Sequence, residues 1–451
     1  MAITTGFVQR LTWLESGPTA CIWLGSTPTS TDLFFIQVRA SDSDADVNFK
    51  CSMVGLLFQA QASGRQVDIG HGASSSEVTS AGTPLCNVAA TPLQLDAIEV
   101  TQAIQSLSQG VPLLAGKRTV VRLYLSWYST PGISVQGQIA VRQGPGGPSV
   151  TVASANTATL DPAQAGSVGP KRNDATRSLN FLLPILQTVE GPLIISVAGL
   201  TNSATGAALT LGCETRPTVW FHRSPPLRVR ILGMSYTQGM PAVTFTPAAI
   251  DFNLLVSWLG RAYPVAQVVS SQAVVTATAA APFGCGDINA QVAAIRAVDM
   301  GTGGDTRTHY YGIVSDGGFF MRGCAAGIPA TAAPETVASG PTGPSTWGWD
   351  TDGSYGDWYG GHELGHTFGR FHPGFCGESQ DDLTNYPYDN GQLGSSDASF
   401  AGFDVGDPIV GMPMAALPAT QWRDVMTYCS FQWLSAYTYL GVRRRLILEN
   451  P

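Results

Sequence analysis

Lysine is nearly absent from this chain. Only three of its 451 residues are lysine (Lys50, Lys117 and Lys171), and the formal net charge is −8. A protein that binds nucleic acid through a basic surface has the opposite charge balance. The composition therefore argues against a nucleic-acid partner.

Long apolar runs are also missing. A helix needs about 20 consecutive apolar residues to cross a bilayer, and the sequence contains no such run, so we expect no membrane span. Residues 1–6 lack the basic stretch and apolar stretch of a secretory signal peptide. Either a leader is not part of this sequence or export uses another route.

None of the eight cysteines forms a Cys-x-x-Cys pair, which argues against a structural zinc site. An even number of cysteines favours disulfide bonds, although a cytosolic protein could carry the same number as buried thiols. With 44% hydrophobic and 12% charged residues, the chain can bury a large core. These features are typical of a secreted or exported multidomain protein.

Histidine is scarce too, with six copies, and three of them fall in the run 362–372, which reads HELGHTFGRFH. On a helix, His362 and His366 lie four residues apart on one face, so both rings can reach one metal ion. Gly369 can adopt a positive φ that ends the helix and lets His372 approach from another direction. Three protein ligands leave a fourth position open, which is typical of catalytic rather than structural zinc.

Glu363 follows the first of these histidines. It is too close in sequence to His362 to be a third ligand on that face, but it is well placed to hydrogen-bond a water held by the metal. We expect Glu363 to accept the proton of that water. Any one histidine alone would more often be a core or surface residue, but three at ligand spacing outweigh that explanation.

The pattern HExxHxxGxxH is the signature of the metzincin clan, and a second motif follows at Asp424-Val425-Met426-Thr427-Tyr428-Cys429. This segment resembles the Met-turn of that clan, in which the methionine packs beneath the zinc-binding histidines. Met426 would take that place rather than serve as ordinary core filler. The resemblance covers residues 227–451 and implies a zinc metalloendopeptidase with one catalytic Zn²⁺ ion and a protein or peptide substrate.

Two further residues resemble a narrower group within the clan. Tyr428, two residues after Met426, and Pro373, immediately after His372, are similar to the astacin and serralysin arrangement. There the tyrosine can ligate zinc and swing to stabilise the oxyanion. The alternative for Tyr428 is a buried phenol near the turn. The calcium repeats of serralysins and a cysteine-switch propeptide are missing, so the family stays open and structural calcium has no support from the sequence.

The cysteines suggest how the site is braced. Cys376 follows the third histidine by four residues, and Cys429 follows Met426 by three. If the Met-turn lies under the zinc, a disulfide between these two cysteines would join the two halves of the site. Cys285 and Cys324 form a second plausible pair. The sequence cannot connect the remaining four, which are Cys21, Cys51, Cys86 and Cys213.

Apolar patterning divides the chain into three parts. Residues 1–92 carry short β-like runs between Gly, Pro, Ser and Asp clusters, which predict a small β domain of unknown role. Residues 93–225 predict an immunoglobulin-like β-sandwich. Residues 226–451 alternate strands and helices, and resemble the α+β metzincin catalytic domain, a mixed sheet with an active-site helix. The predicted fold class is therefore multidomain, with all-β domains before the catalytic domain.

Individual elements can be placed within residues 226–451. Strands are predicted at 227–232, 265–278 and 310–315. Helices are predicted at 287–300 and from Pro247 onwards, with Thr246 as the cap and Pro247 at the first helical position. Ser354, with Asp357 three residues later, resembles a capping box at the start of the helix that carries His362. We expect substrate to lie extended against an edge strand within residues 324–339.

The sequence thus predicts a zinc-dependent metalloendopeptidase whose N-terminal β domains target the enzyme or present substrate. One alternative is an adhesion or binding protein that holds zinc but turns over little substrate. Another is a zinc hydrolase that acts on a bond other than a peptide bond. Cleavage assays with and without a chelator separate the first alternative from the enzyme. The sequence does not indicate an oligomeric state.

Overall fold

A computed structural model of the chain describes residues 2–13, 19–25, 32–37, 50, 53–54, 57, 66–71, 78–82, 91–144, 147–212, 217–344, 349–382, 386–396 and 399–451. The structure is mostly β, with multiple sheets and few helices. The chain divides into two compact units. The first comprises residues 1–100, 106–113 and 119–222, and the second comprises residues 101–105, 114–118 and 223–451.

The first unit begins with a five-stranded antiparallel sheet. Its strands are Ala2–Trp13, Thr19–Gly25, Asp32–Gln37, Gln66–His71 and Val78–Gly82, in the order third, second, first, fourth, fifth. Side chains two residues apart are buried together in three of these strands, at Ile22 and Leu24, Phe34 and Ile36, and Val67 and Ile69. This period of two is that of a sheet with one face against a core.

Two more sheets belong to the first unit. One consists of Leu93–Thr101, Val120–Trp127 and Leu179–Leu182. The other has seven strands, which are Leu113–Leu114, Ile133–Gln143, Ser149–Ala153, Ala158–Leu160, Gly191–Asn202, Ala208–Leu209 and Thr218–His222. A short helix, Val168–Arg172, lies between their strands in sequence.

The second unit contains a six-stranded mixed sheet. Its members are Leu227–Gln238, Val243–Phe245, Val268–Thr276, His309–Ser315, Cys324–Ala325 and Ala338–Thr342. His309–Ser315 runs parallel to both of its neighbours, Leu227–Gln238 and Ala338–Thr342, and is buried over almost its whole length. Cys324–Ala325 pairs antiparallel with Ala338–Thr342 and forms one end of the sheet.

The longer helices of the second unit are Ala249–Ala262, Cys285–Gly301, Gly356–Thr367 and Ala436–Glu449. The first begins at Ala249, two residues after the predicted start at Pro247. Ala248 is the cap instead, because the Asp251 carboxylate accepts a hydrogen bond from the backbone N–H of Ala248 at 2.6 Å. Smaller strands complete the unit at Ile104–Ser106, Pro373–Phe375, Glu378–Gln380, Phe400–Asp404, Ala415–Leu417, Arg423–Asp424 and Gln432–Trp433.

The predicted capping box at Ser354 is wrong. The helix begins at Gly356, with Tyr355 before it, and Ser354 lies outside. The Ser354 hydroxyl instead donates to Asp251 Oδ1 at 2.5 Å, and it lies 3.0 Å from Thr342 Oγ1. Ser354, which the local pattern assigned to the helix cap, therefore binds the buried carboxylate of Asp251 in another helix.

Two short upstream segments belong to the second unit. Both the Trp433 indole N–H, at 3.0 Å, and the Phe403 backbone N–H, at 2.8 Å, donate to the carbonyl of Ala103. The Lys117 ammonium is buried and donates to the carbonyls of Gly260 and Arg261, at 2.5 and 3.1 Å. Burial lowers the pKa of Lys117 to about 7. Residues 101–105 and 114–118 therefore contribute to the packing of this unit.

Disulfide bonds join Cys285 to Cys324 and Cys376 to Cys429, with Cα atoms 5.7 and 5.1 Å apart. These are the two pairs that the sequence predicts. Three of the other cysteines, Cys51, Cys86 and Cys213, lie outside the described residues. In the part of the chain that the structure describes, no helix is both long and apolar enough to cross a membrane.

Candidate metal centre and the adjacent cavity

The helix Gly356–Thr367, which we call the histidine helix, carries His362 and His366. The chain turns at Gly369, where φ is 75°. A Cβ atom there would approach the carbonyl oxygen of Pro329 to 2.8 Å, so the turn needs glycine for its conformation and for its space. The turn brings His372 back to the two histidines of the helix.

The three imidazoles converge through one type of atom. Nε2 of His372 lies 3.2 Å from Nε2 of His362 and 3.1 Å from Nε2 of His366. Nitrogen ligands 2.0–2.1 Å from a tetrahedral ion are about 3.3 Å apart. The spacing therefore fits three ligands of one metal ion, and this group can hold one.

The hydrogen-bond partner of Nδ1 determines which nitrogen of each ring carries the proton. Each Nδ1 atom faces an acceptor oxygen: His362 faces the Val425 carbonyl at 2.7 Å, His366 the Arg370 carbonyl at 2.7 Å, and His372 the Asp381 carboxylate at 3.3 Å. A carbonyl oxygen can only accept, so the proton of each neutral ring lies on Nδ1 and the lone pair on Nε2. Three such lone pairs repel one another unless a cation lies between them.

Burial favours the neutral form of His362. Desolvation, and then the neighbouring His366 and His372, lower the pKa of His362 well below its usual range. The His362 ring is therefore neutral near pH 7, as a metal ligand must be. His372 is the most accessible of the three, and its side chain is still only 13% exposed.

The segment 424–427 forms the turn beneath the histidine helix. The Asp424 carboxylate accepts hydrogen bonds from the backbone N–H groups of Met426 and Ser435, both at 2.9 Å. Met426 is buried, and its Cε lies only 3.3 Å from where a Cβ at Gly365 would be. The methionine thus packs directly against the helix between His362 and His366. The sequence located this turn, but it did not reveal that Asp424 anchors it.

Glu363 lies against the edge strand Cys324–Ala325. Its carboxylate is 4% exposed and accepts a hydrogen bond from the backbone N–H of Ala325. Burial raises the pKa of Glu363 to about 8, and the hydrogen bond from Ala325 partly opposes that rise. A Cβ atom at Gly323 would come within 3.0 Å of the Glu363 carboxyl carbon, so glycine lets the edge strand pass this close.

Tyr428 lies at the mouth of the site. Its side chain is 56% exposed, so the alternative of a buried phenol is wrong. The centre of its ring is 5.1 Å from the ring centre of His372 and 5.7 Å from that of His362. The phenol therefore stands beside two of the three candidate ligands and is accessible to a bound molecule.

A cavity of about 320 Å³ opens beside these residues. Its wall includes His362 and Glu363, and its aromatic lining consists of Trp349, Trp358, Tyr359 and Tyr428. The volume is at the lower end for a small-molecule pocket. The site thus combines three histidines that could hold a metal ion, a buried carboxylate and an aromatic-lined recess that can take a large side chain.

Three residues that contact the candidate ligands or Glu363 had no distinguishing signal in the sequence. Asp381 faces His372, and the backbone N–H groups of Asp381 and Asp382 both donate to the His372 carbonyl at 3.0 Å. Ala325 holds Glu363 through its backbone alone. Each of these contacts depends on where the fold places the residue, so a pattern of residue types in the sequence could not have predicted it.

No protein-family model matches the chain, and no curated protein matches it.

Proposed function

We propose that this protein is a zinc-dependent metalloendopeptidase of the metzincin type, with the second compact unit as its catalytic part. One observation carries the proposal: Nε2 of His372 lies within 3.2 Å of Nε2 of both His362 and His366. Glu363, buried one residue after the first ligand, and Met426, packed under the helix, support it.

Zinc is the metal that this donor set favours. Three imidazoles with an open fourth position are the ligands of a catalytic zinc site. A zinc ion held there would supply a water that ionises near pH 7 and a positive charge beside a substrate carbonyl. The chain supplies no fourth ligand of its own in this proposal, which leaves room for the reacting groups.

Glu363 is the proposed general base and general acid, in the carboxylate form that the positive charge of a bound zinc ion would favour. As water attacks the carbonyl carbon of the substrate, one of its protons passes to a carboxylate oxygen of Glu363. Glu363 then delivers that proton to the amide nitrogen as the C–N bond breaks. The backbone N–H of Ala325 holds the carboxylate in place throughout.

The edge strand Cys324–Ala325 is the proposed docking site for the substrate backbone. It ends the six-stranded sheet, and an extended peptide can add to such an edge by backbone hydrogen bonds. A peptide bound there would cross Glu363, and one of its side chains would enter the aromatic cavity. We expect substrates with a large apolar side chain next to the cleaved bond.

Tyr428 is the proposed oxyanion partner. Its exposed phenol stands beside His362 and His372, and a phenolic O–H there can donate to the negative oxygen of the tetrahedral intermediate. This role matches the tyrosine after the Met-turn in astacins and serralysins.

The remaining parts of the chain have supporting roles in this proposal. The sheets at residues 93–222 form an immunoglobulin-like sandwich, and the sheet at residues 2–82 forms a separate small domain. Both would target the enzyme or present substrate. The two disulfide bonds favour an oxidising compartment, so we propose that the protein is secreted or exported.

The proposal is tested on the purified full chain. We expect about one zinc per chain by mass spectrometry of the metals, cleavage of a peptide library, loss of cleavage with a chelator, and recovery with added zinc. Cleavage that persists without metal would contradict the mechanism. Zinc binding with no cleavage of any peptide would favour the binding-protein alternative.

A further inference from the structure

An exposed edge strand ends the mixed sheet of the second unit on the side opposite Cys324–Ala325. This strand, Val268–Thr276, pairs in parallel with Leu227–Gln238 over nine residues without a bulge. In the part of the chain that the structure describes, no further strand pairs with it. Six of its nine residues are exposed, among them Val269 at 44% and Val274 at 54%.

The strand has none of the features that usually protect a sheet edge. Such edges commonly carry Lys or another charge, a proline or a bulge, or they are very short. The sequence of Val268–Thr276 is VVSSQAVVT, which contains no charged residue and no proline. The opposite end of the sheet differs, because Cys324–Ala325 is only two residues long. The longer edge is therefore open to pairing with a further strand.

The register shows which backbone groups of this strand face Leu227–Gln238. In a parallel pair, alternate residues direct both their N–H and C=O groups to the neighbour. The carbonyl of Gln267 accepts from the N–H of Leu227 at 3.1 Å. At the other end, the N–H of Ala277 donates to the carbonyl of Ser235 at 2.8 Å. The odd-numbered residues from 267 to 277 therefore face Leu227–Gln238, and the even-numbered residues direct their N–H and C=O groups outwards.

The helix Cys285–Gly301 covers one end of this outward row. The carbonyl of Thr276 accepts a hydrogen bond from Gln291 Nε2 at 2.8 Å, as its outward direction requires. Among the described residues, none hydrogen-bonds to the outward backbone groups of the other four even-numbered positions. These positions are Val268, Ser270, Gln272 and Val274. Their N–H and C=O groups are those that a further strand would bind.

We propose that this edge binds the same edge of a second copy of the chain, antiparallel, about a twofold axis at Ser271. Val268 then lies opposite Val274 of the partner subunit, and Ser270 lies opposite Gln272 of the partner subunit. All four outward residues of each copy form hydrogen-bonded pairs in this register. Each such pair exchanges two hydrogen bonds, so about eight join the two copies. Because both copies use the same surface, the assembly closes as a dimer.

The side chains favour a second copy as the occupant. Valine meets valine at the ends, and nearer the axis a serine hydroxyl meets a glutamine amide, which can hydrogen-bond to each other. A twofold axis also brings each charge near its own copy, where like charges repel, and this strand has no charge. A register centred on Gln272 is less favourable, because it would need the Thr276 carbonyl, which Gln291 already binds. One strand pair is a small interface, so we expect a Kd in the micromolar range.

Sedimentation velocity of the purified full chain tests the association, from about 1 to about 200 µM. We expect the sedimentation coefficient to rise reversibly with concentration to that of a dimer. Gln272→Pro should weaken the dimer by about 10-fold or more, because it removes an outward N–H from each copy. The bonds to Leu227–Gln238 stay intact, since an edge tolerates proline where the N–H faces solvent.

Gln272→Ala is the matched control, because it removes the side chain and keeps the outward N–H. Its dimer should stay within about 3-fold of the parent in Kd. Circular dichroism checks the folding of each variant. If Gln272→Pro does not fold, Val274→Lys replaces it, since a lysine on an exposed edge opposes pairing with another strand.

Cysteine cross-linking tests the register. In the proposed dimer Ser271 lies directly opposite its own copy, with Cα atoms about 4.5 Å apart, which a disulfide can span. Ser271→Cys should therefore link two chains under mild oxidation, and mass spectrometry should find residue 271 joined to residue 271. Val269→Cys is the control on the same face of the strand. Its own copy would lie about 13 Å away along the pair, too far for a bond.

Three results would overturn the inference. One is a chain that stays monomeric up to about 200 µM. Another is a dimer that Gln272→Pro and Val274→Lys leave unchanged, or that Gln272→Ala weakens as much as Gln272→Pro does. The third is cross-linking of Val269→Cys as efficient as that of Ser271→Cys. None of these measurements needs turnover, so their failure leaves the peptidase proposal intact, and an inactive protein can still form the dimer.

Discussion

The Nδ1 atom of His362 donates to the carbonyl oxygen of Val425, 2.7 Å away and 63 residues later in the chain. This contact joins the first candidate ligand to the turn that carries Met426. It places the proton of the ring on Nδ1 and turns Nε2 towards His372. The geometry of the candidate metal centre thus depends on a turn that contributes no candidate ligand.

Replacing Asp424 should weaken metal binding, because Asp424 holds that turn in place. In Asp424→Asn, one amide oxygen can still accept from Met426, but the NH₂ group cannot accept from Ser435. A buried N–H without a partner costs about 1–3 kcal/mol, and loss of a supporting contact lowers metal affinity by about 10–100-fold. Urea unfolding and a zinc competition assay measure the two effects. Asp389→Asn, at an exposed aspartate of the same unit, should leave both unchanged; equal zinc affinity in the two variants would refute the role of Asp424.

Glu363→Ala should keep the zinc and the fold but lose activity. The substitution removes the proposed base and leaves all three histidines, so kcat/KM should fall by about 10²-fold or more. Peptide cleavage and metal content are measured on the same sample. Glu190→Gln, at an exposed glutamate of the first unit, serves as the control. Cleavage by Glu363→Ala at the parent rate would show that the proposed mechanism is wrong.

Tyr428→Phe should lower kcat by about 10²-fold while zinc affinity changes little, because it removes one oxyanion donor and no ligand of the ground state. The phenol is exposed, so its loss should not destabilise the fold. Steady-state kinetics with a peptide substrate separate kcat from KM. Tyr128→Phe, at another exposed tyrosine, should have no effect. An unchanged kcat in Tyr428→Phe would remove Tyr428 from the mechanism.

Lys117 should make stability depend on pH. Burial lowers its pKa to about 7 in the folded protein, from 10.5. Below pH 7 both states carry the proton. Between pH 7 and 10.5, Lys117 is protonated in the unfolded state and has released its proton in the folded state. The free energy of unfolding therefore rises with pH, by at most about 1.4 kcal/mol per pH unit. Unfolding of the parent and Lys117→Met is compared from pH 6 to 9. A difference that does not change with pH would contradict this assignment.

A fragment of residues 226–451 should be less stable than one of residues 91–451. The shorter fragment lacks Ala103, the acceptor for the Trp433 indole and the Phe403 backbone, and it lacks the buried Lys117 side chain. Lost packing and unpaired N–H groups should lower the Tm by several degrees. Thermal melting of both fragments tests this expectation. Equal melting temperatures would show that residues 101–105 and 114–118 do not stabilise the unit.

The sequence by itself determined the features that repeat over short distances. The spacing of His362 and His366 on one helical turn, and a glycine at 369 with positive φ, follow from local backbone geometry. The alternation of strands and helices after residue 226 follows from hydrophobic periodicity. The pairing of Cys376 with Cys429 followed from the two motifs that flank them.

Only the tertiary structure decided which groups meet across long separations. The carbonyl of Val425 at His362, the N–H of Ala325 at Glu363, and Ala103 at Trp433 are backbone groups, which every residue carries, so no side-chain pattern marks them. Ser354 shows the same limit, because a local pattern assigned it to a helix cap and packing gave it to Asp251. Periodicity is a local property that can be seen in neighbouring residues. These contacts form only when elements that are far apart in sequence pack together.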